Sequence, residues 1–271
     1  MTVNVDVSRE AALKILYDIN EKNAYSNIAI NKHLNDSNLR DIDKVFISGL
    51  VYGTVKWRLT IDWIISEFSN IPFKKLSPWI LNILRLGIYQ LLYTDRIPDS
   101  AACNESVKLA AKYGHRASKN YVNGVLRNIA RKGSGYKCPD TEYPNIKYLN
   151  TKNPDKKHPG IKHTNTKHPG IKHTSIKHPD AIYHSMAFPD RTMEPVRYLS
   201  IRYSHPEWMV KRWMDLFGED FTESLLQSNN ENPDFTVRVN TIRISKADFA
   251  KKMEDRGIEF SNCRYIDNAF I

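Results

Sequence analysis

Three near-copies of one decapeptide in the middle of the chain constrain its folding more than any other feature. They are IKYLNTKNPD (Ile146 to Asp155), IKHTNTKHPG (Ile161 to Gly170) and IKHTSIKHPD (Ile171 to Asp180). Each carries a proline, which removes a helical donor and clashes with the preceding turn. Their apolar content is too low to bury a core, and a repeat this polar has no face on which solenoid units could stack. The stretch from Ser134 to Arg197 therefore reads as a disordered, low-complexity linker that divides the chain into 1–133, 134–197 and 198–271. A flexible segment of ~64 residues spans about 45 Å root-mean-square, enough to tether two domains loosely.

Ahead of the repeats, from Ser8 to Gly133, apolar residues recur at helical spacing and no alternating strand pattern occurs. Ala12, Ile15, Leu16 and Ile19 form one stripe, and Ile61, Ile64, Ile65 and Phe68 another. Ser77-Pro78 is an N-cap with proline in the first helical position, and the stripe behind it (Ile80, Ile83, Leu84, Gly87, Ile88, Leu91) is wide enough for a central core helix. Pro98-Asp99-Ser100 opens the next helix and Gly114 stops it; the last carries Val122, Val125, Leu126 and Ile129. This part is expected to be an all-α bundle. Gly49 and Gly53 suit a close approach of two helices, since no lysine-serine or lysine-threonine pair follows to make a phosphate loop.

Beyond the repeats the pattern mixes. Ser204-His205-Pro206-Glu207 reads as a capping box before a helix bearing Val210, Trp213, Met214 and Phe217, with Gly218 as its stop. A helix near Phe221 to Ser228 follows. Phe235 to Asn240 alternates as a half-buried strand, Ser245 opens another helix that ends at Gly257, and the tail reads as strand fragments. The whole is mainly α: a helical bundle, a disordered repeat linker, and a small, incomplete α+β unit.

Charge points to the partner. Forty Lys and Arg against thirty Asp and Glu leave a formal charge of +10, which favours a polyanion. Cations concentrate between Lys112 and Lys132, where Lys112, Arg116, Lys119, Arg127, Arg131 and Lys132 meet no acid in sequence. Asn120, Asn123, Arg127 and Arg131 fall on one face of the last helix, off its apolar stripe, offering cations for phosphates and amides for base edges. Arg9 and Lys14 would extend that surface, the Arg9 amide at the positive end of the first helix. Arg238 and Asn240 share the polar face of the Phe235 to Asn240 strand. The bland alternative for each is a solvated face. Trp57, between Lys56 and Arg58, could stack on a base, though core packing suits it better.

Other chemistries find little. His158, His163, His168, His173 and His178 recur at a spacing that fits neither a helix face nor a strand, so a metal site is not expected. Cys103, Cys138 and Cys263 form no CxxC pair, which suits a reduced cytoplasm and argues against a disulfide framework. No glycine-rich strand-to-helix turn and no nucleophile motif is present, so neither a catalytic residue nor a cofactor site is expected in this chain. No apolar run approaches the roughly 20 residues of a membrane span, and the N-terminus has no export signal, so no membrane partner is expected.

The runs REAALKILYDINEKNAYSN, VYGTVKWRLTIDWII and LSPWILNILRLGIYQLLYTDRIPDSAACNESVKLAAKYGHRASKNYVNGVLRNIAR resemble the NusB-like domain of RsmB/Sun-type rRNA cytosine-C5 methyltransferases. LSIRYSHPEWMVKRWMDLFGEDFTESLLQSNNENPDFTVRVNT is similar to the small α+β region preceding the catalytic domain in that family. The resemblance implies an RNA-binding bundle, small-subunit rRNA as partner, and S-adenosylmethionine as the full-length family's cofactor. The chain stops before the glycine-rich and Pro-Cys motifs of the family's catalytic domain, so it is expected to be truncated and inactive alone unless a separately encoded catalytic domain joins it. A non-catalytic NusB-like adaptor in antitermination or ribosome biogenesis is the alternative.

Overall fold

The computed structural model describes residues 4–35, 39–94, 96–134, 188–231 and 235–271 of the 271-residue chain. The decapeptide repeats, and with them most of the expected linker, lie outside the described residues. Two compact units result, Met1–Trp213 and Met214–Ile271.

In the first unit, α1 (Val7–Glu21), α2 (Ser26–Asn35), α3 (Asp41–Lys56), α4 (Arg58–Phe68), α5 (Pro78–Tyr93), α6 (Asp99–Tyr113) and α7 (Arg116–Ser134) form the expected bundle. Ser77 Oγ accepts from the Ile80 amide at the start of α5, with Pro78 in the first turn. α5 packs against α1, α3, α4, α6 and α7, which makes it the axis of the unit. Its apolar stripe is buried, as are Leu86 and the polar Asn82, Arg85 and Gln90 on its remaining faces. A helix enclosed on all sides has no solvated face, so its polar residues must find partners inside. Arg85 Nε and Nη2 donate to both oxygens of Asp62 at 2.7 and 2.8 Å, and Asn20 Nδ2 donates to Asn82 Oδ1 at 2.6 Å.

The two glycines of α3 have separate roles. A Cβ on Gly53 would lie 2.0 Å from the Tyr89 ring, so this glycine lets α3 and α5 approach. Gly49 is exposed, and an added Cβ meets nothing within 4 Å. Gly53→Ala is therefore expected to destabilise the fold by about 1–3 kcal/mol through overpacking, whereas Gly49→Ala should stabilise it by roughly 0.5–1 kcal/mol through helix propensity. Urea unfolding of the two variants checks the opposite signs; equal effects would refute the assignment.

The expected linker ends earlier than Arg197. Phe188 packs on Trp63 with ring centroids 4.5 Å apart, and α8 (Pro195–Tyr203) lies against α4. The capping-box reading of Ser204 is also corrected. Ser204 closes α8 in the left-handed region (φ 57°), and its Oγ accepts from the Leu59 amide at 3.2 Å. The first turn of α4 has no side-chain cap of its own, and Ser204 supplies the missing acceptor from far along the chain. Thr60 Oγ1, next to it, donates to the Ile201 carbonyl.

The second unit begins within α9 (Glu207–Phe217), which ends at Gly218 as expected (φ 79°), and continues as α10 (Glu219–Asn230). Ser245 caps α11 (Lys246–Glu254) by accepting from the Asp248 amide at 3.1 Å. Of the expected strand only β1 (Val237–Arg238) forms a ladder, antiparallel to β2 (Ala269–Phe270), with Val237 opposite Phe270. Phe249 and Phe260 close over Phe270, with ring centroids 6.0 and 4.9 Å from it.

Candidate nucleic-acid interface

α7 is strongly two-sided. Val122, Val125, Leu126 and Ile129 are buried against the bundle, so helical periodicity turns Asn120, Arg127 and Arg131 to solvent, with Asn123 half-buried at the margin. Arg116 and Lys119, in its first turn, are exposed as well. Among the described residues none of Arg116, Lys119, Arg127 and Arg131 forms an ion pair. Their charge is therefore available to an outside anion. Lys132 lies over the Phe68 ring, 4.9 Å from its centroid.

The cations expected on the flank are held differently. Arg9 Nε donates to Gln90 at 2.7 Å, its guanidinium lies 3.4 Å from Asp6 and over the Phe46 ring, and the side chain is 13% exposed. The Arg9 amide, expected to face a phosphate, donates instead to Asp6 Oδ1 at 2.8 Å, the N-cap of α1. Lys14 and Lys112 both pair with Glu10, at 3.1 and 2.8 Å, and Tyr113 donates to the same carboxylate. Desolvation pushes the Glu10 carboxyl up, but the hydrogen bonds from Lys112, Tyr113 and Lys14 outweigh it and lower it from 4.5 to about 2. A carboxyl depressed in the folded state stabilises the fold above its unfolded value of 4.5 and loses that contribution as pH falls toward 2. The stability gap between the parent and Glu10→Gln, measured by urea unfolding, should hence be constant above pH 4.5 and shrink below it. A gap independent of pH would show that the cluster does not couple to folding.

Arg238 and Asn240, in the second unit, are exposed; Val239 between them is buried. Asn240 Oδ1 accepts from the Ile242 amide, which commits one side of that amide group to a turn. Trp57 is stacked on Tyr93 with centroids 4.6 Å apart and packs against the core, in line with the packing alternative.

The structure adds residues that the sequence reading passed over. Asn123, Arg127 and Arg131 share a groove of about 580 Å³ with Asp99, Ser100 and Asn104 from the first turns of α6, over Cys103, Gly124 and Ala130. Ser100 and Asn104 are one helical turn apart, and only the α6–α7 packing brings them opposite Asn123. The start of α6 was legible in Pro98-Asp99-Ser100; its juxtaposition with α7 had no local signal. Among the described residues the sheet is a two-stranded antiparallel pair, and no glycine-rich strand-to-helix turn is present. No group of three or more metal-ligating side chains occurs among them, and none of their helices is long and apolar enough to cross a membrane. Cys103 is buried and Cys263 partly buried.

Two family profiles match the chain: the NusB family over residues 6–131, and the "Methyltr_RsmF/B-like, ferredoxin-like domain" over residues 205–271. A probable ribosomal RNA small subunit methyltransferase B of Bacillus subtilis is 30% identical over 251 residues, covering 93% of this chain and 44% of that protein. The transcription antitermination protein NusB of Ruminiclostridium cellulolyticum is 36% identical over 125 residues, which are 46% of this chain and 86% of that protein. The crystal structure of PH0851 aligns with the whole chain and 49% of its own length, at a TM-score of 0.55 and 16% identity, a likeness of fold. The chain thus spans less than half the length of the methyltransferase B relatives it matches.

Proposed function

Because the chain belongs, through a NusB domain followed by an RsmF/B-type ferredoxin-like domain, with the N-terminal part of the ribosomal RNA small subunit methyltransferase B family, we propose that it binds small-subunit ribosomal RNA on the exposed face of α7. The observation that carries the reading is the row of basic side chains on α7 with no ion-pair partner among the described residues, beside amides that can reach base edges. Arg116, Lys119, Arg127 and Arg131 hold phosphates, and Asn120 and Asn123 contact bases or 2′-hydroxyls. Lys14 and Lys112, paired with Glu10 but half-exposed, border this surface in charge but contribute less, since an incoming phosphate competes with a carboxylate already in place. Arg9 acts through packing. Arg238 and Asn240 form a second, smaller contact in the ferredoxin-like unit.

Methyl transfer from S-adenosylmethionine to cytosine C5 falls to polypeptide other than these residues, such as a separately encoded catalytic domain, and this chain supplies RNA affinity. The match to most of an antitermination NusB favours a second reading, a non-catalytic adaptor in antitermination or ribosome biogenesis. The ferredoxin-like domain weighs for the methyltransferase reading, because a free-standing NusB has no counterpart to it. The test is equilibrium binding of the full chain to a small-subunit rRNA fragment over a salt series, with the Arg127→Ala/Arg131→Ala variant alongside. Salt-sensitive binding weakened in the variant is expected; no binding, or a variant equal to the parent, would overturn the proposal.

A further inference from the structure

We propose that the groove between α6 and α7 seats one unpaired nucleobase, an inference that rests on the reading of α7 as an RNA surface and names what that surface recognises. A groove of about 580 Å³ falls within the range of small-ligand sites. Its walls are polar and opposed: Ser100 and Asn104 project from α6, Asn123 from α7. Each amide offers both a donor and an acceptor, which is what the edge of a base requires. The lining between them includes Gly124, Cys103 and Ala130, uncharged and small, with Cys103 buried, and the acidic Asp99 of α6 lines the groove as well. A Cβ built on Gly124 meets no atom within 4 Å, so the space over the α7 backbone is open to a flat ring. Arg127 and Arg131 follow Asn123 at intervals of one helical turn, placed to hold the flanking phosphates or to stack a guanidinium on the base.

Base-paired RNA is at a disadvantage at such a site. In an A-form duplex each base is held in the stack and must be extruded at a cost of a few kcal/mol before it can enter a protein groove, whereas an unpaired base is already free to do so. The ligand is an unpaired nucleotide in a loop or bulge, held at its edge by amides and at its backbone by arginines.

The experiment compares two probes on the full chain: an RNA hairpin with an unpaired loop, and a blunt duplex of the same stem. Gly124→Trp fills the groove without changing any charge. Gly124→Trp is expected to weaken hairpin binding about tenfold or more, the worth of one bound base. Its duplex affinity and the slope of affinity against salt should match the parent. Hairpin binding by a folded Gly124→Trp equal to the parent's would overturn the inference. If Gly124→Trp does not fold, as judged by circular dichroism, Asn123→Ala decides: selective loss of hairpin binding supports base seating, and unchanged selectivity overturns it. The Arg127→Ala/Arg131→Ala variant separates the two levels. Should it lose affinity while the groove variants do not, RNA binding by α7 stands and base seating falls; should it too equal the parent, the RNA reading itself has failed.

Discussion

Replacing Arg127 and Arg131 together with alanine is expected to reduce the slope of log affinity against log salt by roughly 1.5 and to weaken rRNA binding about tenfold or more at low salt. The slope counts phosphate neutralisation, at about 0.7 per contact for single strands and 0.9 for duplex, so two lost contacts fix the size of the change. Because the two lines differ in slope, they should converge as salt rises, which a general loss of folded protein would not produce. Both arginines are exposed and lie off the buried stripe of α7, so the double variant should melt close to the parent. Arg9→Ala provides the contrast. It removes contacts to Gln90, Asp6 and Phe46 inside the bundle, so its signature should be lost stability with the salt slope retained. A double variant with the parent's slope would mean that RNA enters by another face.

The second large effect belongs to the ion pair between Arg85 of α5 and Asp62 of α4. Arg85→Met should destabilise the bundle by about 3–5 kcal/mol, because it leaves the largely buried Asp62 carboxylate without its counter-charge. Arg85 is 6% exposed and engages Asp62 through two parallel hydrogen bonds, with Asn82 and the Phe73 ring beside it. Burial pushes the Asp62 carboxyl above its usual range, and the Arg85 fork opposes that rise without cancelling it. Much of the cost of the single change is thus the penalty of the orphaned acid. Replacing both members, Arg85→Met with Asp62→Leu, should recover most of the loss, since a well-packed apolar pair is often as stable as a buried ion pair. Urea unfolding of the two single variants and the double checks this. Single effects below about 1 kcal/mol, within the range of surface pairs, would show that the pair is solvated in practice.

The second expectation concerns a residue whose surroundings the apolar period does not reveal. The stripe through Ile80, Ile83, Leu84, Ile88 and Leu91 marked α5 as a core helix, yet the same reading would leave Asn82, Arg85 and Gln90 on a wet face. They are buried because five helices surround α5, a fact about neighbours and not about period. Ser204 illustrates the same limit. Followed by proline and glutamate, it has the local form of a capping box, but its hydroxyl serves the Leu59 amide. The groove was half legible: the α7 face followed from periodicity, whereas Ser100 and Asn104 gained meaning only once α6 lay against α7.

What the sequence by itself determined was local and periodic. The 3.6-residue recurrence of apolar residues set the helices of the bundle, and the serine, proline and glycine signals placed the start of α5 and the stops at Gly218 and Gly257. These depend on backbone sterics and on burial of one face, which a few consecutive residues settle among themselves. Tertiary structure alone decided which charges remain available. Arg9 meets Gln90, and Glu10 gathers Lys112 and Tyr113, across separations of 81, 102 and 103 residues. A cation's availability depends on whether packing brings an acid or amide within hydrogen-bond reach. That distance is a property of the assembled bundle, to which spacing along the chain gives no access.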